Sequence, residues 1–118
     1  RRLRVDSALP GAAAAAAESG IQCEIIDLRT ISPIDLETIL ESVEKTGRVV
    51  IVHEANLTGG MGAEISALIA QHALYSLEAP IERVAGFDTM PSPFNSLNHF
   101  SRPEAIHIAD AIRKVLSA

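Results

Sequence analysis

Unbroken apolar runs alternate along this chain with stretches in which apolar residues recur every three or four positions. The first pattern is that of a strand buried on both faces, the second that of a helix with one apolar stripe. Gly11 to Ser19 is nearly all alanine, the best helix former, and Gly20 stands where a left-handed helix cap is expected. Cys23 to Arg29 has strand character and ends at Ser32-Pro33. The helix after it carries Leu36, Ile39, Leu40 and Val43 on one stripe. Asp35 and Glu37 lie at its positive start, Lys45 near its negative end, and Gly47 just beyond.

Val49 to Val52 is a continuous β-branched run, best explained by a central parallel strand covered on both faces. A glycine-rich turn follows, and then Ile65, Leu68, Ile69, Ala73 and Leu77 return at helical spacing. Ala79-Pro80 leads into another strand, Ile81 to Phe87. The last helix has a capping-box start: Ser101 caps, Glu104 reaches back to the cap N–H, and Pro103 suits the first turn. Its stripe is Ala105, Ile108, Ala109, Ile112, Val115 and Leu116, with Arg113 and Lys114 near the negative end. Alternation of this kind predicts an α/β fold, a three-layer α/β/α sandwich with a mostly parallel sheet. Residues 1–118 read as one domain, and Asp88 to Phe100, rich in Pro, Ser and Asn, reads as a functional surface loop.

Composition then removes several classes of function. A chain of 118 residues with 47% apolar side chains can bury one compact core. Its formal charge of −5 and ten scattered basic residues argue against a nucleic-acid groove, and three Phe, one Tyr and no Trp against base stacking. No apolar run approaches the roughly 20 residues that span a bilayer, and Arg1-Arg2-Leu3-Arg4 is not followed by a signal-peptide segment, so a soluble chain is expected. The single cysteine, Cys23, excludes an internal disulfide and a multi-cysteine metal site. At the head of an apolar strand, with no neighbouring His, it reads as a buried structural thiol.

Candidate chemistry concentrates around Gly59-Gly60-Met61-Gly62, between a strand and a helix. Helix N-termini attract phosphate, but this turn lacks the dinucleotide fingerprint and the Lys-Ser/Thr of a P-loop, and Glu64 fills the favourable electrostatic position. A tight turn that permits close packing is the favoured reading. His53 and Glu54 fall at the carboxyl end of the central strand, where open α/β sheets place ligands. They are read either as a ligand site or as a hydrogen-bonded strand-end histidine beside a glutamate at a subunit contact. His72 shares a stripe with Leu68 and Ile69 and is expected in the core or at its boundary. His99 and His107 lack zinc spacing, and no metal site is expected. Asp35 and Glu37, like Glu41 and Glu44, are accounted for by helix-end electrostatics and solvated faces.

Several ordered motifs, spread from about Ile25 to Leu116, together carry a family resemblance. They are Ile26-Asp27-Leu28-Arg29-Thr30 with Pro33 and Asp35; Lys45-Thr46-Gly47-Arg48; His53-Glu54-Ala55; Thr58-Gly59-Gly60; and Gly62-Ala63-Glu64-Ile65. Leu77-Glu78-Ala79-Pro80-Ile81, Arg83-Val84 and Gly86-Phe87-Asp88-Thr89 continue the order. The chain resembles the C-terminal transketolase-type domain of the beta chain of thiamine diphosphate-dependent 2-oxo acid dehydrogenases, the decarboxylating component of pyruvate and branched-chain complexes. Two segments depart from the pattern. Residues 1–10 are short and charged, which implies a degenerate or truncated first strand of a longer beta chain, and Met90-Pro91-Ser92-Pro93-Phe94 replaces a Pro-aromatic-Pro continuation.

The resemblance implies a noncatalytic assembly domain, with no catalytic, cofactor-binding or metal residue in this chain and no turnover by the chain alone. In the whole enzyme it implies decarboxylation of a 2-oxo acid and acyl transfer to lipoamide. Thiamine diphosphate and magnesium would lie between the alpha chain and the preceding beta domain. It implies an α2β2 partnership of alpha chain and second beta chain, with His53, Glu54, Thr58, Gly59, Gly60, Gly62 and Glu64 as candidate interface. It implies docking of a dihydrolipoyl acyltransferase core near Glu78 and the terminal carboxylate of Ala118. The compartment would be bacterial cytoplasm or mitochondrial matrix. The competing readings are the equivalent domain of transketolase or deoxyxylulose-phosphate synthase, and a free-standing ligand sensor using the Glu54 to Gly62 turn.

Overall fold

A computed structural model describes residues 20, 23–28, 32–86 and 105–117. Helix α1, Leu36–Thr46, starts where Asp35 can act as its cap: the carboxylate accepts from the Thr38 N–H at 3.2 Å and from the Thr38 hydroxyl at 2.7 Å. These bonds satisfy Thr38, a polar residue buried among apolar ones. The helix stops at Gly47, whose φ of 72° lets its N–H turn back to the Val43 carbonyl at 2.8 Å.

Strand β1, Val50–Asn56, pairs in parallel with β2, Glu82–Gly86, with Val50 opposite Glu82, Ile51 opposite Arg83 and Val52 opposite Val84. The crossover between them carries helix α2, Met61–Ala73, and a single 3-10 turn, Leu74–Ser76. The expected stripe through Leu77 is therefore divided. The helix ends at Ala73, and Leu77, in an extended conformation, still packs against the core. Helix α3, Ala105–Ser117, closes the described structure.

Burial separates into two groups. Ile39 and Val43 of α1, Ile51 of β1, and Ile65, Ile69 and Ala73 of α2 form one cluster, with Leu28, Ile34, Leu40, Val49, Met61, Leu77 and Ile81 around it. Helix α3 buries Ile108, Ala109, Ala111 and Val115 while packing on β1 and β2. None of these α3 residues belongs to the first cluster. Strand β1 meets both groups, through Ile51 in the first cluster and through the packing of α3 on it. The result is an α/β fold with a parallel sheet.

Some expectations are corrected. Residues 23–28 form no strand, since the described sheet has two strands, β1 and β2. An apolar extended segment becomes a strand only where its N–H and C=O groups meet a ladder partner, and 23–28 touches the core through Leu28 instead. Cys23 is exposed rather than buried, and its neighbour Glu24 pairs with Lys45 of α1 at 3.3 Å. His72 is exposed, because the buried line of α2 runs through Gly62, Ile65, Ile69 and Ala73 and leaves position 72 on its flank. Leu116 is 41% exposed at the end of α3. Gly20 adopts the left-handed conformation expected of it, with φ of 81°. The helix at 11–19, residues 1–10, the loop at 88–100 and the cap residues Ser101, Pro103 and Glu104 lie outside the described residues. Among the described residues no helix is long and apolar enough to cross a membrane.

Ile69 is fully buried, at 0% exposure, on the face where α2 meets α1 and β1. Ile69→Ala should therefore lower unfolding free energy by about 2–5 kcal/mol, and Ile69→Val by about 1 kcal/mol. Urea titration followed by circular dichroism measures both. Equal and small losses would mean that the site collapses around the deletion.

Candidate functional site

The pairing of β1 with β2 is interrupted after Val52. The next matched pair is Asn56 with Gly86, so β1 advances four residues while β2, from Val84, advances two. The irregular stretch contains His53, Glu54 and Ala55. A bulge of this kind bends a strand and re-aims its side chains. The His53 ring turns back on its own strand, with Nδ1 3.0 Å from the Ala55 carbonyl oxygen. A carbonyl only accepts, so Nδ1 carries the proton and, in the neutral ring, Nε2 keeps its lone pair. Nε2 is buried and has no hydrogen-bond partner.

The glycine turn is shaped around this ring. A Cβ on Gly62 would stand 2.6 Å from His53 Nε2, 2.8 Å from Cδ2 and 3.3 Å from Ile51 Cγ2. A Cβ on Gly60 would meet His53 Cε1 at 2.8 Å and would collide with the Asn56 carbonyl oxygen. Gly59 serves a different need: its Cβ position is open, but its φ is 70°. Two of the three glycines thus exist for space and one for backbone conformation.

Hydrogen bonds close the turn. Leu57 donates its N–H to the Gly86 carbonyl at 3.2 Å, and its own carbonyl accepts from Arg83 Nη1 at 3.1 Å. The Ala63 N–H reaches the Gly60 carbonyl at 3.0 Å, and the Ser66 hydroxyl donates to the Gly62 carbonyl at 2.8 Å. Gly60 offers α2 no side-chain cap, while Glu64 places a carboxylate in the first turn, where the helix end is positive.

The structure brings most of the predicted residues into this one region. His53 and Glu54 lie in β1, Thr58 and Gly59 in the exposed turn, Gly60 at the helix cap, and Gly62 and Glu64 in the first turn of α2. Chemically the arrangement is a turn with an exposed tip over a half-buried imidazole whose Nε2 is shielded. A buried Nε2 without a partner is compatible with the strand-end structural reading of His53. Arg83 was read only as part of a family motif, and neither it nor Asn56 as a site residue. A basic residue inside the apolar run Ile81 to Phe87 was the available signal for Arg83.

Glu78 lies apart from this site. Its carboxylate receives Arg48 Nη1 at 2.6 Å, and its N–H donates to the Gly47 carbonyl at 2.8 Å. It is therefore an acid already paired, although 60% exposed. Ala118 is outside the described residues. His107 is exposed on α3, and His99 is outside the described residues. The Cys23 thiol is raised above its ordinary pKa by partial desolvation.

Residues 5–108 match the family model of the transketolase C-terminal domain. The chain belongs to the transketolase C-terminal domain family. This transketolase C-terminal domain is 54% identical over 97 residues to the mitochondrial 2-oxoisovalerate dehydrogenase subunit beta of Dictyostelium discoideum, covering 82% of this chain and 26% of that protein. It is 60% identical over 78 residues to the 2-oxoisovalerate dehydrogenase subunit beta of Pseudomonas aeruginosa, covering 66% and 22%. With the pyruvate dehydrogenase E1 component subunit beta of Leifsonia xyli, it shares 44% identity over 106 residues, covering 90% and 31%. The transketolase C-terminal domain described here thus spans 22%, 26% and 31% of the lengths of these three relatives.

Two experiments test the site. Alanine within a helix is ordinarily better than glycine by about 1 kcal/mol, so Gly62→Ala would stabilise α2 if the ring were absent. With the ring present it should destabilise the domain, and pairing it with His53→Ala should recover most of the loss. Gly60→Ala would still collide with the Asn56 carbonyl oxygen once the ring is gone, so His53→Ala should recover only part of its loss. A double-mutant cycle by chemical denaturation reads both couplings, and additive behaviour of positions 53 and 62 would show that ring and glycine act independently.

For Cys23, a raised pKa means less thiolate at any given pH. Its alkylation by iodoacetamide at mildly alkaline pH should be slower than that of a free cysteine peptide, with the rate profile displaced to higher pH. Mass spectrometry follows the reaction, and a faster rate than the peptide's would contradict the desolvated setting.

Proposed function

We propose that this domain is the C-terminal part of the beta chain of a 2-oxo acid dehydrogenase, and that its task is assembly rather than chemistry. The observation that carries the reading is the 44–60% identity to the three relatives above, which are named as beta subunits of 2-oxoisovalerate or pyruvate dehydrogenases. The site geometry agrees: its histidine Nε2 is shielded beneath a turn, and the turn presents its tip to solvent. In the whole enzyme, the reaction would be decarboxylation of a 2-oxo acid with acyl transfer to lipoamide. Its compartment would be mitochondrial matrix or bacterial cytoplasm, in keeping with relatives of both origins.

The whole enzyme would use thiamine diphosphate and magnesium. This chain's glycine turn does not fit a diphosphate. The His53 ring lies against Gly60 and Gly62 at the start of α2, and Glu64 adds negative charge to the same turn. A diphosphate needs that helix end bare. The cofactor would therefore be held elsewhere in the assembly.

Thr58 and Gly59, exposed at the tip, would meet a neighbouring subunit of an α2β2 assembly, flanked by Glu54 and Glu64 and shaped from below by His53, Gly60 and Gly62. A basic face of the dihydrolipoyl acyltransferase would approach Glu78 and the chain end at Ala118. Co-expression of the intact beta protein with its alpha chain should give a tetramer by light scattering and 2-oxo acid-dependent reduction of an artificial acceptor. Thr58→Arg should weaken that tetramer roughly tenfold or more, the effect of about 1.4 kcal/mol lost at an interface, as read on beta chain whose circular dichroism matches the wild type. A Thr58→Arg protein that assembles like the wild type would remove the tip from the interface. Absence of both tetramer and oxo acid turnover in the wild type would overturn the whole reading.

A further inference from the structure

Among the described residues α3 runs to Ser117, and its late carbonyls take donors from outside the backbone ladder. One comes from a residue distant in sequence. Arg48, just after α1, donates from Nε to the Val115 carbonyl at 3.1 Å. The same guanidinium donates from Nη1 to Glu78 Oε2 at 2.6 Å. Glu78 is fixed in turn. Its N–H bonds the Gly47 carbonyl at 2.8 Å, and its side chain lies over Gly47 so closely that a Cβ there would stand 2.9 Å from Glu78 Cγ and Cδ. A planar fork with both arms engaged has one orientation, which a flexible ammonium would not share.

We propose that Arg48 and Glu78 form a charge-gated latch on the end of α3. While Glu78 holds one arm of the guanidinium, the other is aimed at Val115. A cationic group that captures the Glu78 carboxylate frees Arg48 to turn toward solvent, and the last turn of α3 loosens. Binding of a cation at Glu78 and fraying of α3 are then coupled, each favouring the other. The pair is accessible to such competition, with the Arg48 and Glu78 side chains 31% and 60% exposed. A second link, from Lys114 Nζ to Glu82 Oε1 at 2.6 Å, keeps α3 on β2 when the latch opens. Release is thereby confined to the helix end. The docking proposed above would bring such a cation to Glu78, while the latch itself rests on the geometry of Arg48, Glu78 and Val115.

Hydrogen exchange with mass spectrometry on the intact protein tests it. Glu78→Gln and Arg48→Lys should each raise exchange in the last turn of α3 by roughly two- to five-fold, the range of an exposed ion pair. Exchange in α2 should stay unchanged. Arg48→Lys is the discriminating variant, because it retains the charge and loses the fork. In the wild type, about 1 M potassium chloride, where the Debye length falls to roughly 3 Å, should reproduce the Glu78→Gln pattern and add little to that variant. Wild-type protection at the α3 end that ignores salt, an Arg48→Lys protein as protected as wild type, or loosening spread evenly through α1, α2 and α3 would each overturn the latch. Because salt also screens the Lys114–Glu82 pair, the series is repeated on Lys114→Gln, whose α3 end should still respond to salt; loss of the response there would overturn the latch.

Discussion

Two parallel strands cannot be joined by a hairpin, so the chain leaving β1 at Asn56 has to cross back over the sheet before it can enter β2 at Glu82. Most of what is described here follows from that constraint. The crossover must contain a helix, which is α2, and the helix must bury one line of residues against β1. Ile65, Ile69 and Ala73 supply that line, and Ile39 and Val43 cover it from α1. The same constraint obliges the chain to reverse sharply at the carboxyl end of β1. The reversal is where the bulge, the histidine and the glycines are found.

Reversal over so few residues brings backbone close to the strand it has just left. The His53 ring takes the space between them, and Gly60 and Gly62 are the residues whose lack of a side chain leaves room for it. Packing of this kind produces a turn of definite shape without a side-chain cap, which fits a surface offered to another subunit better than a pocket that must admit a ligand. Arg83 extends the same logic from the neighbouring strand by bonding the Leu57 carbonyl.

The helices were the most legible part of the sequence, α1 above all because it carries both its stripe and its punctuation. Asp35 and Gly47 bracket α1 where polarity and glycine placed them, and the buried pair Ile39 and Val43 fell on the expected face. Both strands were legible as apolar runs. Residues 23–28 show the weakness of that signal, since an apolar run does not say whether a ladder partner is present. His72 shows a second weakness: a residue can share helical spacing with core neighbours and still lie on the flank of the stripe. The site was legible as a glycine turn after a strand, but the reason for two of its glycines was not, because the contact to His53 runs across a bulge that leaves no mark in the sequence. Arg48 and Glu78, 30 residues apart, were equally out of reach of spacing arguments.

The sealed Nε2 of His53 also bears on local stability. A buried acceptor without a donor forgoes a hydrogen bond that water would supply, a deficit of about 1–3 kcal/mol. When the turn lifts away from the ring, hydration recovers that deficit and offsets part of the packing lost. A segment that is tightly shaped while closed thus loses less on opening than its packing alone would suggest.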